Sequence, residues 1–150
     1  MTDRPDVQGF YDTDTDTLTY LVSDPATQRA VIIDPVLHLD MVHATLSDDP
    51  LTPVLQAVRS GGLTVDLILE THLHADHVTG VHRLQQLLDA PICIGAGVQH
   101  NLPLFTDLYD CADVPLAGAP AMDGRVAVGP DALPPPVADL VRSGQRRARD

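Results

Sequence analysis

Apolar positions are patterned along the first two-thirds of the chain and lose that pattern in the last third. Residues 17–22 (TLTYLV) and 30–33 (AVII) are β-rich runs separated by Ser23-Asp24-Pro25, a turn signal. They predict an antiparallel pair that stops at Asp34-Pro35, because Pro cannot donate to a ladder. Asp48-Asp49-Pro50 marks a helix start. Leu51, Val54, Leu55 and Val58 then recur at helical spacing until Gly61-Gly62 ends the segment. Residues 63–69 (LTVDLIL) form a nearly continuous apolar run broken by Asp66, the mark of a buried strand. Polar THLHADH follows it directly. Val78, Val81, Leu84 and Leu88 then share one stripe of a helix over residues 78–88, closed by Asp89-Ala90-Pro91. The PICI run at residues 91–94 gives a last short strand. The predicted order is β-β-α-β-loop-α-β, a layered α/β arrangement.

Beyond His100 the signal fades. Pro103 interrupts any helix there, and Gly, Pro, Ala and Asp accumulate from Cys111 to Leu133-Pro134-Pro135-Pro136, which suits an extended segment. Residues 137–141 offer a brief helix. The last nine residues, RSGQRRARD, carry four Arg and read as a solvated basic tail. The expected organisation is a domain over 9–100, an irregular Pro/Gly-rich segment over 101–136 and a basic tail over 137–150.

Composition narrows the possibilities. With 150 residues, 44% hydrophobic and 20% charged, the chain is expected to fold as a soluble domain. No apolar run approaches the ~18 residues of a membrane helix. The N-terminus MTDRPDVQGF has no apolar signal core, so a cytoplasmic location is expected. Net charge is 9 − 21 = −12, which argues against general nucleic-acid binding. All nine cations are Arg, and Glu70 is the only Glu. Two cysteines make no disulfide framework: Cys93 reads as a small buried hydrophobe, Cys111 as a loop thiol.

The chemistry concentrates in Glu70-Thr71-His72-Leu73-His74-Ala75-Asp76-His77. Three His and an Asp fall within six residues, between a buried strand and a helix. His72 and His74, two apart, leave an extended backbone on the same side. Asp76 and His77, expected at the start of the next helix, can turn back towards them. Imidazoles with a carboxylate suit zinc, iron or manganese. His38, His43, His82 and His100 read as surface or loop residues, the last two also as reserve ligands. Asp34, before Pro35, offers either a turn former or a support for the metal loop.

The segment His72-x-His74-x-Asp76-His77 resembles the metal-binding signature of the metallo-β-lactamase superfamily. Tyr20-Leu21-Val22 and the run Ala30 to Val36 look like that family's opening strands. Thr71-His72-Leu73-His74-Ala75-Asp76-His77-Val78-Thr79-Gly80 is similar to the T-H-x-H-A-D-H-x-T-G pattern of its persulfide dioxygenase branch. The resemblance covers about residues 9–100. It implies the N-terminal half of an αββα sandwich, with His72, His74, Asp76 and His77 as metal residues and Asp76 as a catalytic carboxylate. In the dinuclear hydrolases of the family, the positions of His72 and His74 hold one metal and those of Asp76 and His77 the second. In persulfide dioxygenases the position of His72 joins a later His and a later Asp around one iron. The implied cofactor is a single Fe(II), with Zn(II) as the alternative. The implied reaction is oxidation of a glutathione-type persulfide to sulfite.

The chain departs from that pattern after residue 100. It has no later His, and the family's P-G-H-T-P and G-D segments are absent, so a chain shortened at its C-terminal side is expected. The resemblance therefore leaves three readings: an impaired persulfide dioxygenase, a glyoxalase II-like thioester hydrolase, and a non-catalytic remnant or interaction module. Half a sandwich also predicts an uncovered sheet face and self-association through it, with no membrane or nucleic-acid partner.

Overall fold

A computed structural model describes residues 4–95 together with 98, 103, 104, 107 and 108. The expectations for residues 109–150, for His100 and for Cys111 lie outside the described residues. The chain divides into two units, residues 1–70 with 74–92 and residues 71–73 with 93–150.

The first unit is organised around a mixed sheet. Strands β1 (Asp6–Asp12), β2 (Thr17–Asp24) and β3 (Arg29–Ile33) form an antiparallel meander. The Ser23-Asp24-Pro25 signal becomes a tight turn. Asp24 caps it, accepting from the Ala26 N–H at 2.8 Å and the Thr27 hydroxyl at 2.7 Å. Strand β6 (Thr64–Glu70) then lies parallel to β3. The connection between them carries a hairpin, β4 (Val36–Asp40) with β5 (Thr45–Ser47), and helix α1 (Leu51–Ser60). Such a crossover is what parallel pairing requires. The Ile68 N–H donates to the Pro91 carbonyl at 2.9 Å, which ties the start of β8 (Ile92–Ile94) beside β6.

Alternation along the strands builds the core. Leu21 pairs with Ile32 and Ile32 with Ile68, and none of the three is more than 1% exposed. They pack with Leu51, Val54 and Val58 of α1 and with Val81 and Leu84 of α2 (Val81–Leu88). On the opposite face Val22 pairs with Val31 and Val31 with Leu67. These residues are 9%, 5% and 4% exposed. A strand parallel to its neighbour is buried on both sides, and β6 follows that rule. Towards the β1 edge that same face stays open: Val7, paired with Val22, and Tyr11, paired with Leu18, are exposed, as are Leu18 and Tyr20; Met41 and Val42 on the β4–β5 turn are exposed as well.

The structure corrects several elements. Residues 6–12, 36–40 and 45–47, which carry no strong pattern, are strands. The helix expected from Val78 begins at Val81, because Val78 and Thr79 form a short strand β7. Val36 pairs with Thr79 and Leu37 with Val78, giving a second sheet of order β5-β4-β7. Gly80 then turns the chain: its N–H donates to the Pro35 carbonyl at 2.7 Å, and its carbonyl accepts from Leu84 at 2.9 Å. Asp76 and His77 consequently precede a strand rather than opening a helix.

In the second unit, Cys93 and Val98 are buried, whereas Leu104 and Leu108 are exposed. Among the described residues no helix is long and apolar enough to cross a membrane.

Candidate metal centre

Parallel strands end on the same side of a sheet, and sites gather at their carboxyl ends. Here the Asp34 N–H donates to the Leu69 carbonyl at 2.9 Å, which sets Asp34, just past β3, level with the end of β6. Asp34 adopts φ 49°, a left-handed conformation that Asp tolerates better than most residues. The Thr19 hydroxyl donates to its carbonyl at 3.0 Å. Glu70 closes β6 as the neighbouring carboxylate.

Residues 71–77 form an irregular loop between β6 and β7. His74 returns to the two carboxylates. Its Nε2 lies 2.7 Å from Glu70 Oε2 and 3.2 Å from Asp34 Oδ1. The side chains of His74 and Glu70 are 8% and 6% exposed. Only the Asp34 contact is aligned as a hydrogen bond; the Glu70 oxygen flanks the same ring nitrogen off its axis. The other Glu70 oxygen accepts from the Thr79 hydroxyl.

His77 stacks near His74, with ring centroids 4.3 Å apart and an interplanar angle of 41°. Its side chain is 1% exposed, and both ring nitrogens are buried without a hydrogen-bond partner. Asp76 Oδ1 approaches His77 Nδ1 to 3.3 Å without aligning, and its own side chain is 64% exposed. Ligand atoms of His74, Asp76 and His77 lie within 4.8 Å of one another.

Electrostatics agree with this geometry. Burial pushes Glu70 up to about 7, aided by the nearby Asp34 charge and opposed by the Thr79 hydrogen bond and by His74. His77 is held below its ordinary value, first by burial and then by the charge of His74. Asp76 is held below the usual carboxylate range, chiefly by a backbone hydrogen bond and, less, by His77 and His74. Neutral imidazole and ionised carboxylate are the forms a metal takes. A buried imidazole nitrogen without a partner costs ~1–3 kcal/mol, a penalty that coordination would offset. The His, Asp, His donor set thus fits a borderline-hard divalent cation.

Of the residues read from sequence, the structure brings His74, Asp76 and His77 together. His72 belongs to the second unit, where its Nδ1 lies 2.8 Å from the Thr71 hydroxyl. His38 and His43 pair with acids away from the centre, Asp14 at 2.8 Å and Asp40 at 2.7 Å. His82 is exposed beside Gln86 at 3.1 Å. Sequence reasoning missed Glu70 and Thr79. A Glu ending an apolar strand, in a chain with no other Glu, was the available signal for the first.

Sheet and helices of a mixed α/β unit thus carry a His/Asp/His cluster that could hold a metal, on the loop after a parallel strand. The sequence profile of the metallo-beta-lactamase superfamily matches residues 12–142. This chain belongs to that superfamily. Over 106 residues it is 39% identical to the beta-lactamase hydrolase-like protein of Xylella fastidiosa, covering 71% of this chain and 25% of that protein. Over 72 residues it is 39% identical to the mitochondrial persulfide dioxygenase of Bos taurus, covering 48% and 24% of the two chains. A metallo-beta-lactamase structure from Staphylococcus aureus matches with a TM-score of 0.50 at 26% identity, over 63% of this chain and 24% of that one. The chain thus spans about a quarter of the length of these relatives.

Proposed function

We propose that this chain supplies the metal-binding loop of a persulfide dioxygenase-like centre, with His72, His74, Asp76 and His77 as its metal residues. The observation that carries the metal reading is His77, buried with both nitrogens lacking hydrogen bonds beside His74 and Asp76. The oxidative reading is supported by the T-H-x-H-A-D-H-x-T-G segment at residues 71–80 and by the similarity to the bovine persulfide dioxygenase. The metal would be one Fe(II), with Zn(II) the competing occupant. Fe(II) with open positions supplies the means to bring dioxygen and a sulfur substrate together. The substrate would be a glutathione-type persulfide, which with dioxygen and water yields the thiol and sulfite. In that reaction the exposed Asp76 carboxylate stays ionised and faces the cluster, and buried Glu70 and half-buried Asp34 keep His74 in place.

A second reading, thioester hydrolysis of glyoxalase II type, is favoured by one feature. Asp76 and His77, whose positions hold the second metal of dinuclear hydrolases, lie close to His74. The test is the full chain reconstituted anaerobically with Fe(II), then given glutathione persulfide in an oxygen electrode. Oxygen uptake lost in His77→Ala supports the dioxygenase reading. Hydrolysis of S-lactoylglutathione without oxygen uptake replaces it with the second. Metal binding with neither activity identifies a non-catalytic remnant.

A further inference from the structure

Beside the metal loop the first unit forms a cavity of about 410 Å³, within the size range of small-molecule sites. Ala75, Asp76 and His77 belong to its lining, so the cavity adjoins the candidate metal residues. The β4–β5 hairpin supplies another part, through Leu37, Leu39 and Met41. Backbone pairing holds hairpin and loop together, because Leu37 pairs with Val78, the residue after His77. The turn itself is fixed: the Asp40 carboxylate accepts from the Val42 and His43 N–H groups at 2.8 and 3.0 Å. Yet Met41 on that turn is 81% exposed, and Leu39 and Val42 are exposed with it. A contiguous apolar patch held open beside polar groups marks a surface that buries a ligand.

The charges around this cavity are one-sided. Asp14 and Asp76 line it, no Arg does among the described residues, and the chain has no Lys. The imidazole of His38, which also lines it, is already engaged, with Nδ1 2.8 Å from Asp14 Oδ2. A ligand carboxylate placed here would meet two acids and find no guanidinium or ammonium partner. A neighbouring cavity of about 420 Å³ shares Asp14 and His38 and adds Asp12 and Asp49, so it offers an anion nothing better. An uncharged group meets Leu37, Leu39, Met41 and Val78 instead.

We propose that this cavity is a ligand subsite. It takes the uncharged stretch of a thiol-derived substrate next to the reacting sulfur and disfavours a carboxylate there, with Met41 as the specificity-determining residue. The proposal rests on the metal reading above for where the sulfur sits, and on the cavity alone for its selectivity. A glutathione-type carrier meets the requirement, because the groups next to its sulfur are methylene and amide and its carboxylates lie further off. Met41 suits the task, since a flexible and polarizable thioether packs against apolar groups of varied shape.

The experiment uses the full chain carrying ¹³C-methyl methionine, with and without Zn(II), and two thiols of the same shape. 3-Methylbutane-1-thiol ends in two methyl groups where 3-mercaptopropionate ends in a carboxylate. The Met41 methyl resonance, assigned by its loss in Met41→Arg, should shift on titration with the first thiol. The wild type should bind that thiol at least about 10-fold more tightly than the second, a ratio that burial of two methyl groups supplies. Met41→Arg places a cation at an exposed position and should erase or reverse the preference. Met41→Ala removes the apolar arm without adding charge and should weaken binding of the first thiol alone. A Met41 methyl that neither thiol moves overturns the inference. So does equal affinity for the two thiols in the wild type, or an unchanged preference in both variants. Should the wild type bind no Zn(II), the metal reading fails, and the metal-free titrations still decide the subsite.

Discussion

Arg29 Nε donates to Asp66 Oδ2 at 2.6 Å across the parallel strands β3 and β6. Their register explains the pair. Ala30 faces Val65 and Val31 faces Leu67, so Asp66 is the extra residue of a bulge. The Asp66 side chain is 4% exposed and that of Arg29 44%. Removing one partner therefore has unequal effects. Arg29→Ala strands a buried carboxylate and should cost on the order of 3 kcal/mol. Asp66→Ala leaves an Arg that reaches water and should cost less. Urea denaturation of the two variants checks the order, and equal losses would mean that the pair is effectively a surface one.

Metal affinity should depend on His77 and be indifferent to His82. Removing His77 deletes a proposed ligand, so the loss should reach at least the ~10–100-fold seen for outer support alone. His82→Ala changes an exposed residue at the start of α2 and should bind like the wild type. Calorimetric titration with Zn(II) reads both. Parallel losses in the two variants would assign the effect to general histidine content.

The pH dependence of the metal-free chain follows from two groups with opposite signs. Glu70 is raised to about 7 from an ordinary 4.5, so its contribution is fully present below 4.5 and is lost as pH rises through 7. His77 is lowered from 6.5, so its contribution is present above that value and is lost as pH falls. Denaturation midpoints of the wild type should therefore carry a falling component between pH 4.5 and 7 that Glu70→Gln abolishes. The remaining slope in that variant should rise with pH.

Gly80 lies where two segments nearly touch. A Cβ there would sit 2.9 Å from Leu51 Cδ2 and 3.4 Å from the Pro35 carbonyl carbon. Leu51 is fully buried, so relief requires moving α1 or the chain after β3. Gly80→Ala should lose about 1–3 kcal/mol by overpacking. Gly62→Ala would be strained by its φ of 60° with space around it, which separates backbone strain from crowding in the same assay.

Most of what positions the centre could be read from the chain. The β2–β3 hairpin, α1, β6 and the loop after it each carry a period or a turn residue strong enough to stand alone. The short strands could not be read this way. In β7 two residues become a strand because Val36 and Leu37 offer a free edge, a cause forty residues away in sequence. The apolar stripe that begins at Val78 fits a helix equally well, which moved the expected start of α2 by three positions. In β1 the run DVQGFYD has Gly9 at its centre and is mostly exposed, so alternation is weak. The candidate ligands showed in the sequence because His and Asp cluster. Their supports did not, since Glu70 and Asp34 are each single acids whose meaning comes from the side-by-side ends of β3 and β6.

That closure over distance has a consequence for when the centre comes into being. His74 meets Asp34 across 40 positions of chain, and only after α1 has crossed over to seat β6 against β3. Loop closure and non-local pairing are the slow part of folding. A peptide spanning residues 70–80 alone would hold the histidines without Asp34 or the β4 edge that anchors Thr79. Tight metal capture should therefore lag behind helix formation in a refolding experiment, which makes the ion a reporter of completed topology rather than a nucleus for it.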